Sequence, residues 1–275
     1  MSVDPLVSIC IPTYNGERFI EETLDSVVNQ THRNIEVLVS DHSSSDSTRE
    51  IVESVRDERI RLSVLAPGGG AAANWNASIG PAKGQFVKLV CQDDILRPDC
   101  VELQAKSLLQ NPSASFSFSL RNIISPKGRT LIRSRGFSPD NKIVSLREGL
   151  DSLVRSGTNI FGEPCAVLMR REALFSAGEF HGSYLIDLNM WLKLWEIGDA
   201  VFVGHPLSGF RISKGSWTMA LRNEQSAQIS LLFEELQTKY PQFISSDALL
   251  SGKKKSKSLQ FQRHLLTRIV EFLRL

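Results

Sequence analysis

At 275 residues the chain has room for one large α/β domain, or for one domain with a helical appendage. Its 41% apolar content supplies a core, and no stretch approaches the ~18 continuous apolar residues of a membrane span. The net charge of +2 is unevenly placed: residues 252–275 carry seven Lys or Arg and one Glu, a local +6 that leaves the rest at −4.

A basic end on a mildly acidic body points to an anionic surface as a partner, not to nucleic acid. The four cysteines, Cys10, Cys91, Cys100 and Cys165, show no CxxC pairing and read as reduced, mostly buried thiols. Met-Ser-Val-Asp-Pro lacks the basic start of a signal peptide, so the expected location is cytoplasmic, with peripheral contact to the inner face of a membrane.

In chain order, Val7–Ile11 reads as a short buried strand ending in Pro12-Thr13-Tyr14-Asn15. A helix from about Glu17 to Gln30 gathers Ile20, Leu24, Val27 and Val28 on one face. Ile35–Ser40 is a second strand, followed by a serine loop. Ser47 and Glu50 fit a capping box opening a helix to about Val55. Ile60–Leu65 is a third strand, Ala71–Ile79 a helix, and Phe86–Cys91 a fourth strand. Pro98 fits the first residue of a helix that ends near Asn111. Strand and helix alternate four times, which predicts a mostly parallel sheet covered on both faces.

Beyond this point the pattern loosens. Ser115–Ile124 alternates like an exposed edge strand, and Ser125–Asn141 reads as a loop. Leu146–Ser156 and Asp187–Ile197 read as helices, the second with Trp191 and Trp195 one turn apart. Ala166–Met169, Val201–Val203 and Leu207–Ile212 are short strands. Thr218–Tyr240 and Lys257–Leu273 are further helices. A soft boundary falls near Ala114 and a helical extension starts near residue 218.

Acids close the second and fourth strands. Asp93 and Asp94 suit a Mg²⁺ or Mn²⁺ site, because hard cations take carboxylate and phosphate oxygens. The alternative is a pair of solvated loop acids, one capping the next helix. Asp41 suits the N–H of a pyrimidine ring, or else an Asx-turn that starts the serine loop. Gly68-Gly69-Gly70-Ala71-Ala72-Ala73 matches G-x-G-x-x-A but follows the third strand, not the first. Asp187 suits an N-cap or a general base. His205, Arg211, Lys214 and Ser216 form a polar cluster whose Arg and Lys offer charge to a phosphate, or are surface residues.

Together these segments resemble the family-2 inverting glycosyltransferases of the GT-A fold. The resemblance runs through Val7-Ser-Ile-Cys-Ile-Pro-Thr-Tyr-Asn-Gly16, Glu36–Thr48, Asn74-Trp-Asn76 with Ala82-Lys-Gly84, and Gln92-Asp93-Asp94. It continues in Gly162-Glu-Pro164, Arg170–Leu174, Asp187–Leu194 and His205-Pro-Leu207 with Phe210-Arg211, covering residues 7–217. The chain departs from the family at Cys91 and Ile186, where acids are common, and at Ser213, where histidine is common.

The resemblance implies a Rossmann-like, mostly parallel central sheet flanked by helices, with C-terminal helices. It implies a nucleotide-sugar half at 1–114, an acceptor and base half at 115–217, and a helical extension at 218–275. Pro12, Thr13, Tyr14 and Glu17 would line the nucleotide pocket. Asp41 would take a uracil or thymine ring, and Asn76, Gln92, Arg211 and Lys214 would face the sugar donor. Asp93 and Asp94 would ligate Mn²⁺ or Mg²⁺, and Asp187 would be the base. The implied reaction moves a sugar from a UDP- or dTDP-type donor to a glycan or lipid-linked acceptor, in bacterial surface polysaccharide synthesis.

Two other classes stay open on the sequence. One is an NAD-dependent oxidoreductase using the glycine run, although its first βα turn is Pro-Thr-Tyr-Asn-Gly. The other is a non-catalytic nucleotide-sugar binding module. The tail from Leu259 to Leu273 is amphipathic, which suits either an anionic membrane or packing on the body or on a second subunit in a homodimer.

Overall fold

The computed structural model describes residues 4–139, 142–182, 184–213 and 224–272, with side chains omitted at 263, 264 and 266–272. Lys214, Ser216 and Leu273 therefore lie outside the described residues, and the side chains of Leu266, Ile269 and Val270 on the tail's apolar face are not described.

The chain first alternates β1 (Val7–Thr13), α1 (Ile20–Val28), β2 (Ile35–Asp41), α2 (Thr48–Ser54), β3 (Ile60–Val64), α3 (Gly70–Ile79) and β4 (Phe86–Leu89). A two-residue β5 (Ile95–Leu96), α4 (Cys100–Gln110), β6 (Ala114–Ile124), β7 (Thr130–Arg135), β8 (Ile143–Val144) and α5 (Leu146–Ser156) follow. After a 3₁₀ turn come β9 (Val167–Arg170), α6 (Arg171–Ala177), α7 (Ile186–Ile197), β10 (Asp199–Arg211), α8 (Gln225–Lys239) and α9 (Ser246–Phe272).

One sheet runs β3-β2-β1-β4-β9-β6-β10-β5, with β7 on β6 and β8 on β10. β3, β2, β1 and β4 are parallel, as are β6 and β10, whereas β9 is antiparallel to both its neighbours. Strands from both sides of residue 114 thus share one sheet. β1 is buried on both faces: Ile9 and Ile11 join the layer of Ile20, Leu24 and Val27, and Cys10 joins that of Val87, Phe116 and Trp191. Burial on both faces is why such a strand reads as an unbroken apolar run.

Several sequence expectations are corrected here. β6 is a central strand, not an edge. Ser115, Ser117 and Ser119 point inward, where Ser115 Oγ donates to Leu194 O at 2.6 Å and Ser119 Oγ to Ala166 O at 3.3 Å. The expected loop at 125–141 contains β7, which folds back antiparallel on β6. The two strands expected around His205 form one β10, interrupted by register shifts between Val203 and Ser208. Ser47 makes no capping bond, whereas Ser145 Oγ accepts from the Glu148 N–H at the start of α5. Helix α4 begins at Cys100, two residues after Pro98.

Candidate active site

Parallel pairing sets Thr13 opposite Asp41 at the carboxyl ends of β1 and β2. This end of an open α/β sheet is where ligands bind. Asp41 is closed from solvent. Its oxygens accept from Thr13 Oγ1 (2.9 Å), Ser44 Oγ (2.5 Å) and Ser44 N (2.9 Å). The loops after β1 and β2 are stitched together by Asn15 N to Ser44 Oγ, Gly16 N to Thr48 Oγ1, and Ser47 N to Glu17 Oε2. Pro12 and Thr13 are buried beneath them; Tyr14 is 58% exposed.

Two side-chain amides each grip the backbone of a distant residue. Gln92 Oε1 accepts from Tyr14 N at 2.7 Å while its Nε2 donates to Tyr14 O at 2.9 Å. Asn76 does the same to Phe180, at 2.9 Å in both directions. Both residues were expected to face the sugar donor; both amides are committed to positioning loops. A Cβ on Gly16 would collide with Gln92 Oε1, so glycine there admits the first clamp.

The second acidic cluster lies one strand over. Asp94 is fully buried. Its Oδ1 accepts the Arg211 N–H at 3.0 Å, while its Oδ2 has no hydrogen-bond partner among the described residues. Burial and the neighbouring Asp93 push Asp94 well above the carboxylate range. Burial raises half-buried Asp93 to about 6, with its own backbone N–H and Arg211 pulling the other way. Two adjacent, under-compensated carboxylates fit a hard cation that takes few protein oxygens and completes its shell with phosphate and water. Among the described residues no group of three His, Cys, Asp or Glu forms an all-protein metal cage.

Arg211 does not offer its guanidinium to a ligand. It is fully buried, donating to Asp93 O, Ser125 O, Pro126 O and Glu22 Oε2, and stacks over Phe19 at 4.7 Å. Exposed His205 sits six residues back along β10, where its charge bears on Asp99. Those two residues are therefore not one phosphate cluster.

Asp187 is the second residue of α7, not its N-cap; that place belongs to Leu185, held at φ 54°. Its Oδ1 accepts from Leu188 N at 2.8 Å and its Oδ2 from Asn159 Nδ2 at 2.9 Å. Burial and the charge of Glu163 raise its pKa to about 6, against the pull of those two bonds. Asn159 is itself fixed by Phe161 N, Gly162 N and Gly162 O. Glu163 forms a two-point pair with Arg121, at 2.5 and 3.1 Å. Burial favours neutral Glu163, but Arg121 prevails and lowers its pKa.

Cys91 ties the acids together. Its thiol is pushed well above the usual range by burial and by the negative charges of Asp94, Asp93, Asp187 and Glu163. Asp93 and Asp187, 94 positions apart in the chain, thus act on one sulfur. Arg121, Asn159 and Glu163 were not singled out from sequence. Their signals were an arginine inside an apolar strand, and an acid within the Gly-Glu-Pro segment. The glycine run does not open the first βα turn; Gly69, at φ 77°, precedes α3 after the third strand, which removes the basis for a dinucleotide site.

Comparison with known proteins gives the context. The family model for glycosyl transferase family 2 matches residues 8–175. An uncharacterized Mycobacterium tuberculosis protein, MT1568, is 32% identical over 215 residues, 74% of this chain and 66% of that protein. The Pasteurella multocida chondroitin synthase is 34% identical over 125 residues, 45% of this chain and 13% of its own length. The chain therefore spans under two thirds of these relatives. Escherichia coli WfgD, a UDP-Glc:alpha-D-GlcNAc-diphosphoundecaprenol beta-1,3-glucosyltransferase, is 38% identical over 215 residues, 78% of this chain and 79% of WfgD.

Among solved structures, S. aureus TarS 1–349 with UDP-GlcNAc superposes with a TM-score of 0.65 at 20% identity, over 82% of this chain and 65% of that one. The Pyrobaculum calidifontis mannosyltransferase PcManGT, with GDP-Man and Mn²⁺, gives 0.64 at 17% identity, over 100% and 82%. The fold is thus that of the GT-A glycosyltransferases. With a matching family model over more than half its length, this chain belongs to glycosyl transferase family 2.

Proposed function

We propose that this chain transfers a sugar, with inversion, from a nucleotide-diphosphate donor of the UDP or dTDP type to an acceptor hydroxyl, in bacterial surface polysaccharide synthesis. The observation that carries this reading is the oriented Asp187 carboxylate, held by Asn159 Nδ2 and the Leu188 N–H, whose negative charge is felt at Cys91 together with those of Asp93, Asp94 and Glu163. The sequence likeness to WfgD, named for a diphosphoundecaprenol-linked acceptor, supports the reaction class and a glycan or lipid-linked acceptor.

The nucleotide lies over the interlocked loops after β1 and β2. Exposed Tyr14 and Glu17 face its base and ribose, while buried Pro12, Thr13 and Asp41 support the loops from beneath, Asp41 keeping the serine loop in shape. Residues 1–114 serve the sugar donor and 115–217 the acceptor and base. Asp93 and Asp94 would hold a Mn²⁺ or Mg²⁺, whose charge offsets that of the departing diphosphate. Asp187 Oδ2 takes the acceptor proton as that oxygen bonds to the anomeric carbon and the carbon–oxygen bond to the diphosphate breaks. Asn159 and the Leu188 N–H keep the carboxylate oriented during this step, and the Arg121–Glu163 pair sets its electrostatic surroundings.

The test is a panel of UDP-, dTDP- and GDP-sugars with Mn²⁺ or Mg²⁺, scored for released nucleoside diphosphate and for metal-dependent thermal stabilisation. Asp187→Asn should bind nucleotide normally and lose at least about 10²-fold in turnover. Near-normal turnover by that variant, or no turnover with any sugar nucleotide, sinks the proposal.

A further inference from the structure

Helix α9 has two unlike faces. Ala248, Gly252 and Ser256 are buried. At Gly252 a Cβ would collide with Val154 O of α5, and at Gly157 one would meet Gly252 O and Ser256 N at 2.7 Å, so backbone lies on backbone there. On the other side stand Leu250, Lys254, Lys257, Phe261 and Leu265, all exposed, at steps of four, three, four and four residues. That spacing gathers them into one stripe.

Single exposed apolar side chains are ordinary; here three share a stripe, at 61%, 71% and 52% exposure for Leu250, Phe261 and Leu265. From Ala248 to Gln262 the helix carries four lysines and no acid. Lys253 is paired with Glu234; Lys254, Lys255 and Lys257 form no salt bridge among the described residues. Lys254 and Lys257 sit at the centre of the stripe. A two-fold partner would use the same patch and press lysine against lysine. An anionic bilayer matches both the apolar side chains and the charge.

We propose that α9 lies in the plane of an anionic membrane surface through the Leu250–Lys254–Lys257–Phe261–Leu265 face. No helix among the described residues is long and apolar enough to cross a membrane. Gly157 sits on the buried side of the same helix, one helix diameter (~10 Å) from the lipid side, and two residues on is Asn159, the partner of Asp187. On the proposed chemistry, which this last step rests on, the base is close to the surface that carries a lipid-linked acceptor. Membrane binding itself does not depend on that chemistry.

The experiment is sedimentation of the full chain with phosphatidylcholine vesicles, with and without phosphatidylglycerol, at physiological ionic strength. Binding is expected only with phosphatidylglycerol. A lysine near an anionic surface strengthens partitioning roughly fivefold, so K254E/K257E should weaken it by at least about 25-fold, and Phe261→Ser should weaken it as well. Both changes lie on exposed positions, and unaltered thermal unfolding verifies that the fold is intact. Equal binding to pure phosphatidylcholine, or K254E/K257E binding like the parent, overturns the proposal. So does a dimer that Phe261→Ser converts to a monomer without any vesicle binding. Sugar-nucleotide turnover without vesicles, unchanged in these variants, separates failure here from failure of the catalytic reading.

Discussion

In the proposed reaction, Asp187 is the residue most sensitive to small changes. Its carboxyl titrates near 6 because burial and Glu163 outweigh two hydrogen bonds. A base must be deprotonated to act, so kcat/KM should climb with pH up to about 6 and level off above it. Stability moves oppositely. The folded chain binds this proton more tightly than the unfolded chain, so between about 4 and 6 stability should fall as pH rises, and Asp187→Asn should flatten that slope in urea melts. Glu163→Gln removes a negative neighbour and leaves Arg121 uncompensated, both of which favour ionised Asp187. The inflection in kcat/KM should shift to lower pH, and denaturant unfolding should report a loss of about 1–3 kcal/mol for the stranded arginine. From sequence Asp187 was a candidate N-cap or base, and the structure puts it inside the first turn of α7, with Leu185 at the N-cap. The Arg121–Glu163 pair was not legible in sequence, since nothing local says which acid a buried arginine will meet 42 positions away. Arg211 misled for a related reason: an arginine at a strand end can turn outward to a phosphate or inward to carbonyls, and Glu22 with three carbonyls drew it in.

Among the elements, the loops after β1 and β4 act as a unit through Gln92. Gly16→Ala should push the Gln92 amide off Tyr14 and weaken nucleotide binding more than tenfold by calorimetry, with little change in melting temperature. Within β4, buried Lys88 donates to Gln104 Oε1 (2.8 Å), Cys165 O (2.8 Å) and Val167 O (3.2 Å), tying α4 to the segment that follows Glu163. Lys88→Met strands those acceptors, each unmade bond costing about 1–3 kcal/mol, so chemical denaturation should show a loss at least that large. The parallel strands were readable because burial on both faces writes a continuous apolar run. β6 was misread because its serines imitate a solvent face; the hydroxyls of Ser115 and Ser119 are small enough to be buried once a backbone carbonyl accepts each proton. β7 was missed because its exposed and half-exposed residues carry little periodic signal.

At the scale of the whole molecule, α9 braces the body. Gly252→Val should force α9 away from α5, lower the melting temperature, and reduce turnover by loosening the turn that leads to Asn159, measured as a fall in kcat at unchanged nucleotide affinity. The mostly parallel sheet with helices between its strands was apparent from the order of apolar runs. The crossing of β9 between β4 and β6 was not, because which strands become neighbours depends on contacts about 50 to 80 positions apart. The contact of Gly157 with Gly252 also governs how the tail can be studied. A chain cut short before Gly252 would strip the floor from beneath the turn that leads to Asn159, so any defect it showed would mix loss of the proposed lipid attachment with slackened support for Asp187. Only surface charge swaps on the outer stripe can dissect the two.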